Sequence, residues 1–239
     1  MLKMTQQRPA VKSKEDWAAV FAGAKHGHVL WDGNAPDPTN PAHAYTSAHH
    51  FVSQAKCFGM FREGGRILDL GCGNGRFGIV FAEMDVEYEG VEPMAECVEF
   101  ARSAFADYKH LRFHHTPVNS PDYGLTGGVD PVHFKLNYPD AHFTDLIAYS
   151  VFTHLQTGPV AHNYMNEIRR VVRPGGKLFI SWYRSPPDKK ADPYIGRTVY
   201  HEWDIMNMMW GFSFDYTYGG HTGLYYDQWG MFCTRCGNG

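Results

Sequence analysis

From Arg66 onward, short apolar runs alternate with amphipathic stretches that carry their charges on one side. A strand signal that repeats with a helix signal predicts a parallel sheet covered by helices. The runs place strands at Arg66–Leu70, Glu87–Glu92, Leu111–His115, Leu146–Ser150 and Lys177–Trp182. Helices fall between them at Gly75–Met84, Ala95–Ala106 and Val160–Val172. The connection from Pro117 to Thr144 has no period and is rich in Gly and Pro, so a long functional loop is expected there. After Trp182 the stretch SPPDKKADP breaks the pattern, and a helical run follows near Glu202–Met209. The alternating segments Phe212–Tyr218 and Gln228–Thr234 close the chain with no helix between them, so they should pair antiparallel.

Periodicity is weak before this region. Helices are expected at Lys14–Ala24 and Tyr45–Phe58, flanking the loop DGNAPDPTNPAH (Asp32 to His43), whose prolines exclude regular structure. The change of grain divides the chain into an N-terminal segment, 1–60, and a main domain, 61–239. With 239 residues, 44% hydrophobic and 15% aromatic, the chain can fill a core, which excludes disordered and fibrous classes. A net charge of −3 offers no general attraction for a polyanion and argues against a protein that coats nucleic acid. The N-terminus is polar and no run approaches the ~18 apolar residues of a membrane span, so a cytoplasmic protein without a secretion signal is expected. Five cysteines are too few for a disulfide scaffold, and Cys233-x-x-Cys236 has no second pair to complete a zinc site.

The segment ILDLGCGNGRFG (Ile67 to Gly78) carries the most chemistry. An apolar strand runs into glycines at 71, 73 and 75, and glycine lets the backbone take positive φ and approach a ligand at the carboxyl edge of a sheet. A dinucleotide fingerprint aligned on Gly71 needs its third glycine at position 76, where the chain has Arg76. Asp69, two residues before Gly71, would repel a pyrophosphate but can accept hydrogen bonds from an ammonium group. Glu92 ends the next strand 23 residues later, close to the ~20 at which an acid at a second strand tip reaches ribose hydroxyls. Singly, Asp69 could cap a helix, the glycines could form a bare turn and Glu92 could be a surface acid. Taken in order, they describe a site for adenosine joined to an amino-acid cation, which is S-adenosylmethionine.

At this point the sequence resembles a class I S-adenosylmethionine-dependent methyltransferase over Gly64 to Arg235, through ILDLGCGNGRFG, YEGVEP, DLIAYSVFTHL and EIRRVVRPGGKLFISW. RFHHTPVNSPDYG, SVFTHL and YGGHTGLYYDQWGMFCTR further resemble, more loosely, bacterial methyltransferases often met in surface-glycan and lipid-modification contexts. The resemblance implies an α/β fold, a Rossmann-like doubly wound sheet, mostly parallel with an antiparallel C-terminal strand. It implies that Asp69, Gly71, Cys72 and Gly73 hold the methionine moiety and that Glu92 with Pro93 holds the ribose. Ser150 is implied beside the reacting methyl. Where relatives carry an acid near the adenine this chain has Pro117, so the Val118 backbone and the Asn119 side chain are expected to read the base. Arg76, where a smaller residue is common, is expected to close the loop over the cofactor or pair with a carboxylate, the alternative being a structural role.

Methyl transfer from a sulfonium is an in-line displacement, so alignment of the nucleophile is the protein's main task and no metal is needed. The adjacent pairs His49-His50 and His114-His115 cannot easily aim both rings at one ion. His154, following the fourth strand in SVFTHL, is the candidate general base; helix capping or packing under the cofactor is the other reading. The acceptor is expected to be a small molecule or glycan, methylated on a hydroxyl oxygen and leaving S-adenosylhomocysteine. Nucleic acid is disfavoured because Ser150-Val151-Phe152-Thr153 stands where base methyltransferases carry an Asn/Asp-Pro-Pro-aromatic motif. Rim aromatics are expected from Trp31, Tyr45, Trp182, Tyr183, Tyr225, Tyr226 and Trp229, with residues before Gly64 as a lid, a packing helix or a homodimer arm. Two other functions fit the same pattern less well: an inactive S-adenosylmethionine-binding scaffold and an NAD(P)-dependent oxidoreductase.

Overall fold

A computed structural model describes residues 9–24, 42–184, 198–219 and 228–237. Helix α1 (Lys14–Phe21) starts in a reciprocal cap: Asp16 N–H donates to Ser13 Oγ at 3.1 Å, and Ser13 N–H to Asp16 Oδ2 at 2.8 Å. Helix α2 (Ala42–Cys57) follows, and then strands and helices alternate. They are β1 (Arg66–Leu70), α3 (Gly78–Phe81), β2 (Glu87–Glu92), α4 (Ala95–Ala104), β3 (Leu111–His115), β4 (Phe143–Ala148), α5 (Pro159–Val171) and β5 (Val172–Arg184). The chain continues as β6 (Val199–Tyr200), α6 (Glu202–Met208), β7 (Phe212–Gly219) and β8 (Gln228–Arg235).

The strands form one sheet in the order β3-β2-β1-β4-β5-β8-β7, with β6 pairing β5. Strands β1 to β5 pair in parallel, whereas β8 runs antiparallel to both β5 and β7, as expected for closing strands without a helix between them. The strand order reverses between β1 and β4, which opens a crevice beyond their carboxyl ends. Alternation along each strand sorts the core onto two faces. Ile67, Tyr88, Phe113, Ile147 and Phe179 meet α1 to α4, while Leu68, Val91, Leu146 and Leu178 meet α5 and α6. Helix α5 shows why it lies there: Ala161, Tyr164, Met165, Ile168 and Val171 form one buried stripe at helical spacing.

The N-terminal helices share that core. Trp17 lies 5.0 Å, ring to ring, from Phe105, and Phe51 lies 4.7 Å from Phe77 and 4.8 Å from Phe179. Among the described residues no helix is long and apolar enough to cross a membrane. Several expected elements change length: α1 stops at Phe21 rather than Ala24, α4 at Ala104 rather than Ala106, and β5 runs over Val172–Arg184 rather than Lys177–Trp182. The helix expected from Gly75 to Met84 is confined to Gly78–Phe81, because Gly71, Gly73 and Gly75 all have positive φ (73°, 54° and 77°) and the chain is still turning. The fourth strand spans Phe143–Ala148 and stops short of Ser150, which is left-handed at φ 59°. The Pro117–Thr144 connection contains two single 3-10 turns, Pro121–Tyr123 and Pro131–His133. The expected loop residues 32–41 and the break at 185–193 lie outside the described residues.

Candidate active site

Beyond Leu70 the chain turns sharply under β2: Gly71 N–H and Cys72 N–H both donate to Val91 O, at 2.8 and 3.1 Å. A side chain at position 71 would put its Cβ 2.7 Å from Val151 Cγ2, so glycine is required there for space as well as for φ. Glu92, at the tip of β2, fastens the turn from the other side. Its Oε2 accepts Gly73 N–H at 2.9 Å and its Oε1 accepts Met94 N–H at 3.1 Å. The carboxylate is buried.

These residues border a cavity of about 720 Å³ at the carboxyl ends of β1, β2 and β4. Gly71, Cys72, Gly73, Arg76, Glu92 and Pro93 form one side, and Val118, Asn119, Ser150 and His154 another. Asp69 is the sequence-predicted residue that does not reach the wall. It is buried beneath the glycine turn, on the same face of the sheet as Tyr88, whose hydroxyl donates to Asp69 Oδ2 at 2.6 Å. Burial pushes the Asp69 carboxyl up to about 7, against the opposing pull of the Tyr88 bond and the Arg76 charge.

Arg76 does reach the wall. Its guanidinium lies over the rings of Phe77 and Tyr149, at 4.7 and 5.5 Å, and its buried Nε has no hydrogen-bond partner. Burial brings its pKa down to about 10, with Tyr149 and Asp69 pulling the other way. An arginine with an unused buried donor on a cavity wall is suited to a carboxylate ligand.

The other side of the cavity depends on side chains. Asn119 lines the cavity, and its Oδ1 accepts Gly128 N–H at 2.7 Å, which closes the loop. Val118 bridges Val129 in the same loop, and Pro117 O, at the position where an acid was expected, accepts Val129 N–H at 2.8 Å. The loop is tied to α5 by Asn163, which donates to Pro131 O and Phe134 O at 3.1 and 2.8 Å. Glu167 on α5 accepts Leu136 N–H at 2.7 Å and holds Arg170, which reaches Leu136 O and Tyr138 O.

At the end of β4, Ser150 N–H donates to Ser181 Oγ at 2.8 Å. Gln228 Nε2 donates to Ser150 Oγ at 2.8 Å and to Ser181 Oγ at 3.0 Å, joining β4, β5 and β8 at the cavity floor. His154 Nδ1 lies 3.1 Å from Asp122 Oδ2. Sequence reasoning missed Asp122, Ser181 and Gln228; a Ser-Pro-Asp turn signal marks the first, and no local signal marks the other two. Of the expected rim aromatics, Tyr183 lines the cavity, Trp182 is buried and Trp229 half-buried. Trp31, Tyr225 and Tyr226 lie outside the described residues. Among the described residues no three His, Cys, Asp or Glu side chains converge as a metal site.

Many solved structures share this fold. A S-adenosylmethionine-dependent methyltransferase from Methanosarcina mazei is 15% identical, with 77% of this chain and 98% of that one covered and a TM-score of 0.58. The [4+2]-cyclase SpnF is 17% identical, over 92% and 91% of the two chains, with a TM-score of 0.64. Geranyl diphosphate C-methyltransferase from Streptomyces coelicolor A3(2), solved with Mg2+, geranyl diphosphate and S-adenosylhomocysteine, is 12% identical over 93% and 97%, with a TM-score of 0.58. At these identities the likeness shows the fold alone. The family model described as a methyltransferase domain matches residues 42–227. With its crevice at the strand reversal, its glycine turn and the acid at the next strand tip all inside that span, the chain belongs to the methyltransferase family, whose cofactor is S-adenosylmethionine.

Proposed function

We propose that this chain transfers the methyl group of S-adenosylmethionine to a hydroxyl oxygen of a small-molecule or glycan acceptor. The observation that carries the reading is that His154 stands on the wall of the same cavity as the glycine turn and Glu92, so a base and a cofactor cradle share one space. The residues fit the cofactor. Glu92, an acceptor on the cavity wall, suits ribose hydroxyls, and the unpartnered Nε of Arg76 suits the methionine carboxylate. Asp69 acts from behind the turn, where its charge favours the cationic end of the donor without lining the cavity. Cys72, Gly73 and Pro93 shape the methionine and ribose ends, Val118 and Asn119 face the base, and Ser150 stands beside the transferred methyl. Phe21, Ala22, Ala24 and Ala44 from the first 60 residues line the mouth, in keeping with a cover that excludes water.

When bound, S-adenosylmethionine supplies an electrophilic methyl carbon on a sulfonium. The protein holds the acceptor in line and takes its proton at His154. The test has two stages. Calorimetry should give binding of S-adenosylmethionine and S-adenosylhomocysteine but not of NADH. Incubation of methyl-labelled donor with a panel of monosaccharides, nucleotide sugars and phenols should then release S-adenosylhomocysteine with at least one hydroxyl acceptor. Binding without release across hydroxyl acceptors, or release with amines alone, overturns the proposal.

A further inference from the structure

We propose that Asp122 is the positioning residue for His154, fixing the imidazole in the form that carries its proton on Nδ1 and its lone pair on Nε2. This rests on the reading of His154 as the proton acceptor, and it narrows the substrate class: a hydroxyl needs a base as it attacks, whereas a neutral amine attacks through its own lone pair.

The geometry is that of a carboxylate behind a base. Asp122 Oδ2 lies 3.1 Å from His154 Nδ1, and the side chains are only 24% and 18% exposed. His154 lines the cavity and Asp122 does not, so the carboxylate lies on the side of the ring away from the space that would hold substrate. The Tyr123 ring, 5.0 Å from the imidazole, packs against it beside the carboxylate.

Both partners are set on locked turns. Asp122 is the middle residue of the 3-10 turn Pro121–Tyr123, which begins with a proline and ends on Gly124 at φ 65°. Ser120 and Leu125 exchange backbone hydrogen bonds across that turn, at 3.0 and 2.9 Å. On the other side, His154 N–H donates to Val151 O at 2.9 Å, and the neighbouring Thr153 hydroxyl donates to Ser150 O at 2.6 Å. Backbone hydrogen bonds thus hold the two turns that carry the pair.

An ionised carboxylate only accepts hydrogen bonds, so a neutral His154 must donate from Nδ1 and leave Nε2 basic. In the transfer the acceptor O–H bond breaks and its proton goes to Nε2, while the oxygen pair forms the O–CH3 bond and the C–S bond breaks to leave S-adenosylhomocysteine. The imidazolium so formed lies against the Asp122 carboxylate, which stabilises it.

The tautomer can be read directly. Full-length protein labelled with 15N in its histidines is observed by multiple-bond 1H–15N spectroscopy near pH 8, with and without S-adenosylhomocysteine, and His154 is assigned by its loss in His154→Gln. The wild type should carry the proton on Nδ1. In Asp122→Asn the amide can donate to Nδ1, so the Nδ1–H form should be lost in favour of Nε2–H; Asp122→Ala should also lose it, and Asp122→Glu should restore it. Affinity for S-adenosylhomocysteine should stay within about twofold in all three variants, as expected of a residue that acts through His154. A wild-type His154 protonated on Nε2 overturns the proposal, as does an Nδ1–H form that survives in Asp122→Ala. Failure of the wild type to bind S-adenosylhomocysteine would instead sink the cofactor reading, and the tautomer would still report on the pair.

Discussion

On the β1–β2 side of the cavity, the groups expected to face the cofactor come from two short stretches, 69–76 and 92–93, and the turn between them is fastened largely by backbone N–H groups. On the β3–β4 side the wall is a 27-residue connection that depends on side chains reaching across to α5, through Asn163, Glu167 and Arg170. The first side needs glycines and an acid at a short spacing; the second needs bonds between residues far apart in sequence, and it is the side that brings Asp122 to His154. Cofactor binding and acceptor chemistry therefore rest on different kinds of bond and should fail separately.

The largest separation is expected from Glu92→Ala. It removes the proposed ribose contacts and strands the Gly73 and Met94 N–H groups, each at ~1–3 kcal/mol, so affinity for S-adenosylhomocysteine should fall several-hundredfold by calorimetry. Unchanged affinity would remove the β2 tip from the cofactor site. His154→Ala should do the reverse, lowering turnover on a hydroxyl acceptor about a hundredfold while leaving cofactor affinity in place. If rate and affinity fell together, the two sides would not be independent.

A smaller effect tests the anchoring of the β3–β4 connection. Glu167→Ala leaves Leu136 N–H and Arg170 without their partner and should cost about 2 kcal/mol, read as a lowered urea midpoint, with tight cofactor binding retained at low temperature. The smallest effect is one of pH. Asp69 has a carboxyl raised to about 7 by burial, so as pH rises through 7 it ionises and offers its charge to the cationic donor. S-adenosylmethionine affinity should rise about tenfold between pH 6 and pH 8. The same group works the other way on folding: its favourable contribution to stability is complete below about pH 4 and is lost as pH rises through 7. A flat affinity profile would mean that the carboxyl behind the turn has no part in binding.

The two sides also differ in how far they can be read from the residues alone. The β1 turn was legible because its signals are consecutive and each has a local cause: glycine where φ is positive, an acid at a strand tip. Asp69, expected to hold the methionine moiety, is set by strand alternation on the inner face with Ile67 and Tyr88, off the cavity wall. The helix expected from Gly75 was too long because that glycine is still part of the turn, and a Cβ there would lie 2.7 Å from Phe113. The bond from Gly128 N–H to the Asn119 oxygen, nine residues apart, has no local signal. The pairing of Asp122 with His154 spans 32 residues and that of Gln228 with Ser150 spans 78, so only the fold could bring them together.

Ser150 has a further consequence. A non-glycine residue held at φ 59° stores of order 1 kcal/mol of backbone strain, and here it does so where β4 hands the chain to the turn that bears His154. Replacement by glycine would relax that kink and raise the melting temperature, while removing the hydroxyl to which the Gln228 amide donates. A hardier protein with a looser floor would result, so thermal robustness and reactive precision pull in opposite directions at this one position.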